Sequence, residues 1–387
     1  MTVDSRAPAA SRERRLLRAA EISLPALRHN IRTIRRVTGS RVIVVVKAGA
    51  YGHGAEIVAP AVIAAGAAMV AVASLDEAVA LRESGCAAPV LCWLHDEEID
   101  ADLALRHGIE LGLSSVEQLG RLTHAAERAG ITARAQLKVD TGLSRNGAAP
   151  ETWAGLCAEA ARAESAGRLR VTGVFSHLAN TGDAEDRTQA ARFDAAVRLL
   201  AGHGVRPPLR HLAASAAAFS APALRYDAVR VGLAAYGLSP LAAADGAELG
   251  LRPVMTLAAP VVSLRRVPAG TGVSYGFTHV CERESVLALV PIGYADGMPR
   301  ALNGSGATVS LLGERVPIIG RIGMDQCILD VTGLADRVRI GDRVVLFGDP
   351  ARGEPPVTEW AGHLGTIPHE IVTGIGPRVA RLAVGEG

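Results

Sequence analysis

Aromatic side chains are scarce in this chain, with five Phe, five Tyr and three Trp among 387 residues. A tyrosine standing in a glycine-rich loop therefore asks for a reason beyond packing. An excess of one charge sign is also missing. The 41 basic residues nearly balance the 39 acidic ones, for a net +2, which argues against a broad surface for nucleic acid or anionic membrane. No apolar run is long enough to span a bilayer. The first 20 residues, MTVDSRAPAASRERRLLRAA, lack the apolar core of a secretory signal, and residues 1–15 read as a mobile basic tail. Cysteine is sparse as well. Cys86, Cys92, Cys157, Cys281 and Cys327 are odd in number and form no C-x-x-C pair, so reduced thiols in a cytoplasmic protein are expected.

What is present is a rhythm. Short apolar runs alternate with amphipathic stretches: VIVVV (42–46), AMVAVA (68–73), PVLCWL (89–94), IELGL (109–113), ARAQLKV (133–139), RVTGVF (170–175), LRHLA (209–213) and YDAVRV (226–231). The first helix has Leu24, Leu27, Ile31 and Ile34 at helical spacing, with Pro25 at its start and Gly39 past its end. Two others begin with capping-box spelling, Ser74 with Glu77 and Ser114 with Glu117. Eight such units predict an α/β protein with a (β/α)8 barrel over residues 16–250; a doubly wound open sheet is the alternative. From Pro253 the pattern changes to short β runs broken by glycine and proline, with only TEWAGHLG (358–365) helical. Residues 251–387 therefore read as a mostly-β C-terminal domain.

A barrel places its chemistry at the C-terminal ends of its strands. Lys47 ends the first strand in VVVKAGAYGHG, with Tyr51 four residues on. Lys138 and Asp140 end the fifth, and Arg145 lies in the loop beyond. His177 follows the sixth, Ser215 the seventh, and Arg230 lies in the eighth. No carboxylate pair and no His/Cys/Asp cluster stands out, so no metal is expected. A basic rim with a free amine suits an anionic aldehyde such as pyridoxal 5'-phosphate, which a lysine holds as an imine. Tyr51, Ser215 and the backbone near Gly232 could take the phosphate, and Arg230 the pyridine nitrogen.

The motifs VVVKAGAYGHG, QLKVDTGLSRNG, GVFSHLA, VRVGLAAYG, GVSYGFTH, PIGYADGMPR and GRIGMDQ, in this order, resemble the successive signatures of the alanine racemase family. The resemblance implies a pyridoxal-phosphate barrel, a β domain and a homodimer that interconverts L- and D-alanine. By position, Lys47 would hold the cofactor, with Tyr51, Ser215, Gly232 and Leu233 at its phosphate. Arg230 would face the pyridine nitrogen, with His177 between Arg230 and the second base. That base would be Tyr275, entering the partner subunit's active site. Arg145 would sit near the phenolic oxygen and the substrate carboxylate, Tyr294 would line the entrance, and Met324 with Asp325 would lie beside the substrate carboxylate. Lys138 matches a lysine that the family often carries as a carbamate.

The two bases suit racemisation, which needs one acid/base group on each face of the α-carbon. A cationic neighbourhood of His177 and Arg230 is expected to favour the phenolate of Tyr275. Three positions depart from the family's pattern. Ala214 replaces an asparagine, Gly323 a cysteine, and His369 a tyrosine at the phosphate and substrate site. Shifted specificity toward serine or another small amino acid is one alternative. A pyridoxal-phosphate-binding protein without catalysis is another, against which Tyr275 and the β domain argue.

Overall fold

The computed structural model describes residues 16–385, so the tail assigned to 1–15 lies outside the described residues. The chain forms two compact units. One contains Ile22–Met255, Ile367–Gly374 and the described residues from Ala383; the other contains the described residues up to Glu21, Thr256–Thr366 and Ile375–Leu382. The division is thus not a single cut of the chain. The strand Ala19–Ser23 takes a place in the sheet of the second unit, between Met255–Pro260 and Ala380–Val384, where its backbone polar groups find partners. The segment Ile367–Gly374 returns to the barrel unit, where a side chain at Gly52 would overlap the Val372 carbonyl.

In the barrel unit, eight parallel strands close on themselves: Arg41–Val45, Met69–Val72, Val90–Cys92, Glu110–Leu113, Ala133–Lys138, Leu169–Phe175, Arg210–His211 and Ala228–Val231. The first pairs with the eighth, Val42 beside Val229, which excludes an open doubly wound sheet. Most strand residues are buried, which is why these segments read as continuous apolar runs rather than alternating ones.

Helix starts follow local chemistry. Leu24–Thr38 begins at Ser23, whose hydroxyl accepts from Ala26, and ends at Gly39 with φ 65. Leu75–Glu83 carries the full Ser74–Glu77 capping box. The second expected box is displaced by one residue. Ser115, not Ser114, caps Val116–Ala129 by accepting from Gln118 N, and the Gln118 side chain reaches back to Ser114 N. Gln118 fills the returning role as well as the expected Glu117 would.

The second unit is built on a nine-stranded sheet, and the separate hairpin Gly272–Val273/His279–Val280 carries the Tyr275 loop. Val357–Leu364 is helical as the sequence suggests, whereas the helix Pro368–Thr373 of the barrel unit had no periodic signal to reveal it.

Candidate active site

The first barrel strand ends in an unusual turn. Lys47–Tyr51 form one helical turn, and Ala48, Gly49, Ala50 and Tyr51 all have φ between 52 and 59, so the turn is left-handed from Ala48 onward. Each L residue held there costs about 1–2 kcal/mol, so the surroundings must enforce it. Ala48 N donates to Glu77 Oε1 at 2.7 Å, and the same carboxylate accepts from Ala73 N and Ser74 N through Oε2. His53 Nδ1 donates toward the carbonyls of Ala50 and Tyr51, at 3.0 and 2.9 Å. Glu77 is recognisable in the sequence as a helix cap; its hold on the residue after Lys47 is not.

The turn aims Lys47 and Tyr51 into a cavity of about 400 Å³, within the size range of small-molecule sites. Lys138, Arg145, His177, Ser215, Arg230, Gly232, Leu233 and His369 line the same cavity. Sequence reasoning missed Trp93 and Asn180, which also face it and carry no motif. Ser215 Oγ accepts from Gly232 N at 3.2 Å and Ala234 N at 3.4 Å, so a hydroxyl and two amides share one corner. A methyl group on Gly232 would overlap the Tyr51 hydroxyl, so only glycine leaves this corner open. Gly232→Ala is expected to displace Tyr51 and weaken binding of a phosphate-bearing ligand by about tenfold or more; titration of ligand fluorescence measures it. Ala214 caps the helix Ser215–Ser220 without a side-chain hydrogen bond.

Charge is arranged around the cavity in one sign. Burial and the neighbouring Arg145 lower the pKa of Lys47, against an upward pull from Glu77. Lys138 is pushed down to about 8 by burial, then by Arg230 and Arg145. No carboxylate lies within ion-pair distance of it among the described residues. Asp140, its nearest candidate partner in sequence, instead accepts from Gly142 N and Ser144 N and shapes the loop that carries Arg145. His369 is lowered by burial and by Lys47.

Arg230 is 5% exposed and its guanidinium donates to Ser176 O, His177 Nδ1 and His211 Nδ1 at 2.9, 2.7 and 2.9 Å. Burial, then Arg230 and Arg145, push His177 down to about 3. The expectation of a cationic His177 is thus corrected: the imidazole is neutral because it already accepts from a cation, and Arg230 supplies the charge. A pH–rate profile is expected to show no His177 ionisation above pH 4, and ring NMR shifts of His177 check this directly. The stability consequence has a definite sign. Between the ordinary 6.5 and about 3, the unfolded chain binds a proton that the folded one does not, so stability falls as pH drops through that window.

The remaining expected residues belong to the second unit. Tyr275 is 74% exposed at the tip of its hairpin, after Ser274 at φ 60. Tyr294 N donates to Gly323 O and Ala295 N to Met324 O, which ties these two loops together. Arg378 pairs with Asp325 at 2.7 Å and with buried Asp296 at 3.1 Å, and Asp296 also holds Arg18 at 2.9 Å. A Cβ on Gly323 would meet Gln326 O at 3.3 Å.

A closed (β/α)8 barrel whose rim offers a lysine amine, a small anion cradle and a buried arginine defines a cofactor-dependent barrel enzyme with an appended β domain. The family models for the alanine racemase N-terminal and C-terminal domains match residues 22–240 and 254–383. The chain belongs to the alanine racemase family, whose members are pyridoxal-phosphate-dependent isomerases. It is 44% identical to the alanine racemase of Thermobifida fusca over 370 residues, covering 95% of this chain and 98% of that protein. The crystal structure of alanine racemase from D-cycloserine-producing Streptomyces lavendulae superposes with a TM-score of 0.91 at 43% identity, covering 97% of this chain and 98% of the other. The alanine racemase of Bartonella henselae, with covalently bound pyridoxal phosphate, matches at a TM-score of 0.82 and 29% identity, covering 96% and 100%.

Proposed function

We propose that this protein interconverts L- and D-alanine with pyridoxal phosphate held at Lys47, in a homodimer whose partner subunit supplies Tyr275. The observation that carries the reading is the convergence of Lys47, Tyr51, Ser215, Gly232 and Arg230 on one cavity. These residues fit the cofactor. The corner left open at Gly232 takes its phosphate, with Tyr51 Oη, Ser215 Oγ and the amides of Gly232 and Leu233 as donors. Arg230 suits the pyridine nitrogen, because a guanidinium donates but does not readily give up its proton. When bound, the cofactor spreads the negative charge that forms at the substrate α-carbon.

The chain's own residues then move the proton. Lys47 Nζ exchanges it on one face, and its lowered pKa keeps more of the neutral amine ready. The partner subunit's Tyr275 Oη exchanges it on the other. His177 Nδ1 is occupied by Arg230, so its only proton sits on Nε2 and is free to donate to that phenolic oxygen. Arg145 binds the substrate carboxylate together with Met324 N of the subunit that supplies Tyr275, and Tyr294 of that same subunit narrows the entrance. Asp325, neutralised by Arg378, can stand near that carboxylate without repelling it. The exposed Tyr275, Phe277, Val280 and Met324 support a dimer that covers them. Lys138, pushed down to about 8, has more of the neutral amine than an ordinary lysine, and that form takes up carbon dioxide as a carbamate beside Arg145 with release of a proton. The five unpaired thiols suit a reducing cytoplasm.

The purified protein with pyridoxal phosphate should convert L-alanine to D-alanine and the reverse, read by enantiomer-resolving chromatography. The same panel with serine tests whether His369 and Gly323 have shifted specificity. Absence of inversion for every small amino acid overturns the reading.

A further inference from the structure

A column of polar side chains runs through the barrel interior beneath Arg230. Glu110, 3% exposed, opens the fourth strand. Its Oε1 accepts from Arg134 Nη2 at 2.6 Å, and its Oε2 accepts from Gln136 Nε2 at 3.0 Å and Thr172 Oγ1 at 2.7 Å. Gln136 Oε1 lies 2.7 Å from His211 Nε2, and His211 Nδ1 lies 2.9 Å from Arg230 Nη1. Glu110, Gln136 and His211 are nearly or fully sealed from solvent. The column crosses five strands from carboxylate to guanidinium.

Its two ends determine every proton between them. A guanidinium only donates, so His211 Nδ1 must accept. The neutral ring then carries its proton on Nε2 and donates it to Gln136 Oε1. The Gln136 amide is thereby oriented, with its NH2 toward Glu110, and a carboxylate only accepts. No other orientation satisfies every link. If the Gln136 amide flipped, its NH2 would face His211 and push the ring proton to Nδ1, against Arg230.

The backbone is shaped for this column. The pairing of the fifth and sixth strands slips at Ala135/Gln136, so Gly173 rather than Thr172 stands opposite Gln136. A bulge of this kind re-aims side chains near a site. Thr172 Oγ1 reaches Glu110, and a Cβ on Gly173 would press into the Gln136 amide at 2.6 Å. Phe175 stacks on the His211 ring at 4.8 Å with a 7° interplanar angle and also lies under Arg230, which holds the imidazole plane.

We propose that Gln136, braced by Glu110, is a positioning residue: its Oε1 takes the Nε2–H that Arg230 imposes on His211, and the ring so held keeps Nδ1 against the guanidinium of Arg230. The consequence for the cofactor nitrogen rests on the function proposed above; the hold of Gln136 on the His211 ring does not.

The test labels the histidine ring nitrogens and compares the wild type with Gln136→Leu, Glu110→Gln and Glu110→Leu, each with and without pyridoxal phosphate. In the wild type, His211 shows a protonated Nε2 and a bare Nδ1 in both states. Glu110→Gln still offers an oxygen to Gln136, and it keeps the tautomer, the cofactor affinity and the turnover within about threefold. Gln136→Leu and Glu110→Leu keep the tautomer, which Arg230 sets, but they remove or unbrace the acceptor of the Nε2–H, so that proton's resonance moves upfield and cofactor affinity and turnover fall by about 10- to 100-fold, the range for a lost orienting partner. A leucine variant whose Nε2–H resonance stays in place, or one that shifts it with affinity and turnover unchanged, overturns the proposal. If Gln136→Leu does not fold, the Glu110 pair decides. If no variant and no wild type racemises any amino acid, the function fails, while the Nε2–H resonance and cofactor affinity still judge the column.

Discussion

Tyr275→Phe is expected to lower racemisation by about 10²–10⁴-fold, the contribution of one positioned acid/base group. The loss should be one-sided. Lys47 remains on its own face of the substrate, so in D2O the variant still exchanges the α-proton of one enantiomer and not of the other. Mass spectrometry of recovered alanine reads both rates. Folding is not at issue, because Tyr275 is 74% exposed in the single chain and its ring supports no core. A protein that only bound the cofactor would be indifferent to this change. Equal loss of exchange for both enantiomers would contradict the assignment of one base to each face.

Lys47→Ala is expected to abolish turnover, by about 10⁴-fold or more, because one side chain serves both as covalent holder and as base. Borohydride reduction should add the cofactor's mass to the peptide containing Lys47 in the wild type and to no peptide in the variant. The turn itself should survive, since Glu77 and His53 grip backbone atoms of Ala48, Ala50 and Tyr51 rather than the lysine side chain. Weak non-covalent binding through Tyr51, Ser215 and Gly232 should persist. Cofactor trapped on a different lysine of the wild type, such as Lys138, would reassign the site.

Both expectations start from residues legible in the sequence. Lys47 and Arg230 lie at the ends of strands that must be apolar because a barrel buries them on both faces, and an interruption by charge at that place is informative. The cap on Leu75–Glu83 was legible because its chemistry is local. Non-local pairings were not. Nothing local tells Ala19–Ser23 to join the distant sheet, or Ile367–Gly374 to return beside Gly52 and bring His369 to the cavity. Glu110 and Gln136 carry no motif that marks them, and it is the strand slip at Gln136 that sets them in line. The neutral state of His177 was also hidden, because it depends on which of its atoms Arg230 occupies.

The central claim is that each active site is completed by tyrosine from another subunit. Mixing unfolded Lys47→Ala and Tyr275→Phe chains and refolding them together tests it most directly. Each parent is inactive, but a mixed dimer contains one site with both Lys47 and Tyr275. Random pairing makes half the dimers mixed with one good site of two, so about a quarter of wild-type turnover should return. Recovery no greater than the sum of the two parents, with mixed dimers shown to have formed, would mean that Lys47 and Tyr275 act within one chain and would contradict the account.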